Sequence, residues 1–227
     1  MNLIEAATAL QKFGGPDLTL RLAEIETKLR GLTAAECVNL NATAGADDHS
    51  LIAAGLVKQV AGQINVVIHA LGILICLPHL LEQDERVEYV SLGAGNTGRA
   101  FDLETNLRVA EFKFINWRGG PESIRQNSLF KDFYILAETP TTKSKYLYVL
   151  DTEHPMRFFN GGRAISSVLS RNEKLKRLFD AKYGDCLRTV RDYYELQRQA
   201  VTIRDVSVYL KALLFTGADV DDSDGSA

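Results

Sequence analysis

Apolar residues recur at helical spacing twice in the first third of the chain. Leu18, Leu22, Ile25 and Leu29, with charges between them, predict an amphipathic helix over residues 17–32. Leu56, Val60, Ile64, Val67, Leu71 and Leu74 form a second stripe, predicting a long helix over residues 50–77 that Pro78 ends or kinks. Its second half is apolar nearly all round, the pattern of a helix buried on several sides. Residues 39–48, NLNATAGADD, are small and polar and read as a loop. The period then changes. Residues 86–92, RVEYVSL, and 145–151, KYLYVLD, are β-branched and aromatic and read as strands. Residues 99–117, RAFDLETNLRVAEFKFINW, read as two short strands around a tight turn. Gly119, Gly120 and Pro121 break the chain, and Pro121 with Glu122 suits the first turn of a helix running to about residue 137. Residues 154–162 read as a loop. From residue 163 onward the pattern is helical, with breaks near 184 and over 201–204. Consecutive strands flanked by helices predict an α/β or α+β sandwich on one mixed sheet.

The hairpin has a polar face. With Thr105-Asn106 as a two-residue turn, Asp102 pairs with Val109, and period-two alternation puts Asp102, Val109, Glu111 and Lys113 on one side. Ala110, Phe112 and Phe114 fall on the other side, which should lie on the core. Asp102 and Glu111 are then diagonal neighbours, roughly 7–8 Å apart at their backbones. Two carboxylates at that spacing can converge on one cation and repel each other without it. Magnesium takes one or two carboxylates together with water and substrate phosphate oxygens. It polarises a phosphoryl oxygen and acidifies bound water. Lys113 can orient the attacking water or neutralise charge at phosphorus. The same pattern also describes a solvated sheet face with cross-strand ion pairs.

Composition adds little to this. The 227 residues are 46% hydrophobic and 24% charged, with a net charge of −3, which is ordinary for a soluble domain and gives no global attraction to nucleic acid. Charge is uneven, however. Residues 156–198 hold ten Lys or Arg against five Asp or Glu, and Arg118, Arg125 and Lys131 flank the hairpin. Such residues make phosphate contacts, and Arg163, after Gly161-Gly162, is the further candidate. Three widely spaced cysteines without a CxxC pair suggest neither zinc nor a disulfide framework and fit a reducing cytoplasmic setting. Residues 1–15 lack the basic start of a signal peptide. The run over residues 65–81 is short for a membrane span and is interrupted by His69, Pro78 and His79, so a buried core helix and no membrane association are expected.

Asp102 followed by Glu111-Phe112-Lys113, with apolar residues on either side, resembles the D…(D/E)xK core of the PD-(D/E)xK, or restriction-endonuclease-like, nuclease superfamily. The order helix, three-strand meander, helix, strand, helix is similar as well, over roughly residues 79–151. The resemblance implies an α/β fold with a restriction-endonuclease-like core: a central mixed four- to five-stranded sheet flanked by helices, with helical N- and C-terminal additions. It implies a single domain over residues 1–216, with N-terminal helices over 1–85, a catalytic core over 79–151 and C-terminal helices over 156–216. Residues 217–227 are read as a disordered acidic tail. The implied activity is magnesium-dependent hydrolysis of phosphodiester bonds in DNA, endonucleolytic rather than exonucleolytic, with Mn²⁺ as a substitute ion. Asp102 and Glu111 would bind the metal and Lys113 would assist the water. Many members carry a further acid on the helix before the first strand, and Glu82 stands there, with Glu85 second. Some carry a Gln on the next helix followed four residues later by Tyr. Gln126 matches the Gln, while Phe130 replaces the Tyr, and Phe101 replaces the Pro of the family name. Many such enzymes are dimers, so a homodimer is a further implied state.

Two other readings remain. The fold can serve as a catalytically inactive nucleic-acid-binding or assembly module. Gly93, Gly95 and Gly98 match the GxGxxG of dinucleotide sites, but that motif needs a helix N-terminus directly after it, and strand-like residues follow here.

Overall fold

A computed structural model describes residues 1–30, 32, 34–93, 101–114, 117 and 122–215. The chain divides into two compact units, Met1–Ile64 and Asn65–Ala227. The first unit is helical: α1 (Leu3–Gly14), α2 (Leu18–Leu29), α3 (Ala34–Ala44) and the first half of α4 (Asp48–Leu80). Asn2 and Glu5 cap α1 reciprocally, and Asp17 caps α2 through the Leu20 amide, so local signals set these starts. Its buried apolar residues are small ones, Ala6, Ala44 and Ala53, while Leu18, Leu22 and Leu29 of the expected α2 stripe are exposed. Helix α3 covers most of the stretch expected as a loop.

The second unit is built on a five-stranded mixed sheet in the order β1-β2-β3-β4-β5: β1 (Val87–Val90), β2 (Leu103–Thr105), β3 (Arg108–Lys113), β4 (Ser144–Val149) and β5 (Thr202–Asp205). The first three strands form an antiparallel meander, and β3, β4 and β5 run parallel. Helix α5 (Glu122–Glu138) links β3 to β4, as a parallel pair requires. After β4 come α6 (Glu153–Phe159), α7 (Ile165–Val168), α8 (Glu173–Tyr183), α9 (Val190–Gln197), then β5 and α10 (Lys211–Phe215). The α/β class is as expected. Helix α6 replaces an expected loop, and β5 replaces an expected break. The acidic tail, and Gly95 and Gly98 of the glycine motif, lie outside the described residues.

Both faces of the sheet are buried, by different helices. Val109, Leu147 and Val149 pack with Leu129 and Phe133 of α5. Ala110, Phe112 and Tyr148 pack with Ile73, Cys76 and Leu80 of α4. The polar face of the hairpin is therefore the margin of a second core. Only one side of α4 is used in this packing. Pro78 lies inside the helix rather than ending it, while Val67, Leu71, Leu74 and Ile75 are about half exposed. Over its whole 33 residues α4 is long and apolar enough to cross a membrane by length and composition. Close packing of α4 on the sheet depends on Gly72, where a Cβ would stand 2.4 Å from the Phe114 ring, well inside van der Waals contact.

The hairpin register differs from the expected one. Leu103 pairs with Ala110 and Glu104 with Val109, so Asn106 and Leu107 form the turn. The Thr105 hydroxyl accepts from the amides of Leu107 (3.0 Å) and Arg108 (2.9 Å) and holds that turn by itself. Asn106 stays out of the positive-φ region and instead accepts from the Arg86 amide at 2.8 Å. Continued by one residue, the ladder puts Asp102 opposite Glu111 rather than Val109.

Candidate functional site

Glu111 and Lys113 lie on the α5 side of β3, and the register, continued one residue past β2, sets Asp102 across from Glu111. Asp102 sits one residue before β2. Its Oδ2 accepts the Phe112 amide at 3.0 Å, so the carboxylate occupies a ladder position and is fixed by the backbone. Its Oδ1 lies 3.4 Å from His69 Nε2 of α4. Burial alone would raise the Asp102 pKa, but His69, the Phe112 N–H and the Lys113 charge together hold it below the usual carboxylate value.

Glu111 behaves in the opposite way. Burial pushes its pKa well above the ordinary value, and the neighbouring charges of Asp132 and Asp102 push it further, against a smaller pull from Lys113. A matched pair with one acid held down and the other held up favours one shared proton or one shared cation.

Asp132, on α5, is the residue that sequence reasoning missed. Its Oδ2 lies 2.9 Å from Lys113 Nζ, with the two side chains 9% and 14% exposed. The approach is an ion pair rather than a well-aimed hydrogen bond, since Oδ2 is buried without one. Burial raises the Asp132 pKa, and Lys113 and Lys131 pull it back. A signal existed: Leu129, Asp132, Phe133 and Leu136 share the i, i+3, i+4, i+7 spacing of one helix face, so an acid stood in an apolar stripe. His69 was also passed over, as a core or boundary residue of α4.

The other expected site residues lie elsewhere. Glu82 does not join the acidic pair: its carboxylate accepts from Arg108 Nη2 at 2.9 Å. Arg108 occupies the face of Ala110 and Phe112, opposite to Glu111. The same guanidinium takes Glu85 in a two-pronged pair, 2.6 Å and 2.5 Å, and donates to the Tyr148 hydroxyl at 2.9 Å. Gln126 is not aimed at the acids, because its Oε1 accepts from Arg163 Nη1. Arg125 is only 3% exposed, too buried for a phosphate contact. Lys131 is partly covered beside Asp132, and Arg118 lies outside the described residues. Arg163 lines a depression with Gln126, Trp117, His154 and Arg157.

Asp102 and Glu111 are hard oxygen donors of the kind magnesium takes, and a cation between them would relieve the repulsion that raises Glu111. They fit a two-carboxylate site completed by water and substrate oxygens. Among the described residues, no group of three His, Cys, Asp or Glu side chains is arranged to hold a metal ion. No family model, no curated protein and no solved structure matches this chain.

Proposed function

We propose that this chain is a metal-dependent nuclease that hydrolyses phosphodiester bonds of DNA, cutting within strands, on a restriction-endonuclease-like core. The observation that carries the reading is the placement of Asp102 across from Glu111, with Lys113 one position further along the same face. Mg²⁺, or Mn²⁺ in its place, would be held by Asp102 and Glu111 and would supply Lewis-acid stabilisation of the phosphoryl oxygens. Lys113 presents an ammonium to the same space, where it can align water and offset developing negative charge. Asp132 holds that ammonium in place, and His69 holds the Asp102 carboxylate. A second reading, a non-catalytic nucleic-acid-binding or assembly module, is favoured by the engagement of these groups with one another: Asp102 with Phe112 and His69, and Lys113 with Asp132.

The test is cleavage of supercoiled and linear DNA with Mg²⁺ or Mn²⁺, using the parent, Glu111→Ala and Lys113→Ala. The parent is expected to cut only with metal, and each variant to lose about 10²–10³-fold in rate. Parent-level cutting by either variant excludes this assignment. Calorimetry that detects no Mg²⁺ binding by the parent, with no cutting, supports the second reading.

A further inference from the structure

We propose that the depression lined by α5, α6 and the loop after α6 is a nucleotide subsite that takes one unpaired DNA base together with its phosphate. This rests on the nucleic-acid part of the reading above and adds the strandedness of the substrate. The depression has a volume of about 320 Å³, and Trp117, Gln126, His154, Arg157 and Arg163 are among the residues that line it. Its chemistry is divided. Trp117 and His154 bring two rings with centroids 5.9 Å apart, inclined at 32°. Arg163 brings a guanidinium, partly buried and donating to the neutral amide oxygen of Gln126. Among the described residues Arg163 has no carboxylate partner, and burial lowers its pKa, so an anion brought to it would relieve a desolvated charge. Arg157 stands at the rim, paired with the exposed Glu153, and Glu122 also borders the hollow. Gly162 leaves room on this side: the nearest atom to a Cβ built there is Arg191 Nη2, at 3.8 Å.

Aromatic rings together with a guanidinium are how proteins hold single-stranded nucleotides, the ring stacking on a base and the cation meeting the backbone. A base can stack on these rings only when it is splayed away from a partner strand. The subsite shares a helix with the acidic cluster: Gln126 and Asp132 are six residues apart on α5, about 9 Å along the helix axis.

Trp117 is the only tryptophan in the chain, so its fluorescence reports on the hollow alone. Full-length protein in EDTA, where no metal-dependent cleavage occurs, is titrated with single-stranded octathymidylate, with the same strand annealed to its complement, and with inorganic phosphate. Saturable quenching by the single strand is expected, at least tenfold tighter than by the duplex. Arg163→Ala and the rim variant Arg157→Ala should each weaken it severalfold, with unchanged circular dichroism. Glu111→Ala should leave it intact, which separates this subsite from the catalytic assignment: loss of cutting with retained quenching removes the first and keeps the second. No quenching, equal quenching by the duplex, or an identical response to phosphate alone would overturn the subsite.

Discussion

Arg108 and Glu111 stand three residues apart on β3 and point to opposite faces of the sheet, each at the centre of a charged cluster. Around Arg108 the demands are met. Every arm of the guanidinium has an acceptor, the buried Glu85 is gripped at both oxygens, and the Thr105 hydroxyl completes it at 2.6 Å. Burial would raise the Glu85 pKa, but Arg108 and Thr105 bring it below the ordinary value, and the Arg108 pKa is raised in turn. Around Glu111 the demands are not met. Three carboxylates, Asp102, Glu111 and Asp132, gather around the Lys113 ammonium with Lys131 and His69 at the edges, and Glu111 and Asp132 are both pushed upward. A cluster that satisfies itself does structural work. One that holds surplus charge of a single sign is poised for something the chain does not itself provide.

That contrast can be broken by substitution. The largest effect belongs to the satisfied cluster. Arg108→Ala leaves the Glu85 carboxylate buried and unpaired, and urea titration should show a loss of about 3–5 kcal/mol. A loss below 1 kcal/mol would mean that the network contributes little. In the strained cluster, Asp132→Asn leaves Lys113 with two other carboxylates as neighbours, so no orphan charge results. Its expected cost is about 1 kcal/mol. Removing the Asp132 charge should also let Glu111 ionise more readily, moving the acid limb of a cleavage–pH profile downward.

An effect of similar size has the opposite sign. Burial and its neighbours raise the Glu111 pKa, so the folded protein holds this proton more tightly than the unfolded chain does. The associated stability is present at low pH and is lost as pH rises through the raised folded value. Glutamine cannot ionise, so Glu111→Gln should stabilise the metal-free protein by about 1 kcal/mol above that pH and make no difference well below it, while abolishing cleavage. Melting temperatures with and without Mg²⁺ across a pH series read this directly. A variant less stable than the parent at pH 8 would show that Glu111 is not strained.

The shared face was legible because side chains alternate with period two. Moving the turn from Thr105-Asn106 to Asn106-Leu107 changes every partner but not the alternation, so the expected side of Glu111 and Lys113 is kept, while the Asp102 carboxylate turns onto the Phe112 amide and His69. What failed depended on three-dimensional neighbours. Glu82 stood at the expected place in the order of elements, yet a buried arginine on the opposite face claims it. Gln126 carried the expected residue type, yet Arg163 turns its amide toward the depression. The α4 stripe was read as buried because it is apolar, whereas the sheet takes the side with Gly72, Ile73 and Cys76. Strand β5 lay in a short stretch, TIRD, whose pairing with β4 is a property of the sheet rather than of its four residues.

One glycine has a reach beyond its own contacts. Gly72 touches none of the carboxylates, yet it sets the separation between α4 and the Phe114 ring, and His69 rides on that helix one turn away. A side chain at position 72 must displace the Phe114 ring or push the helix outward, and an outward shift draws the imidazole from Asp102. In a library of random variants screened for lost activity, position 72 would score beside the charged residues.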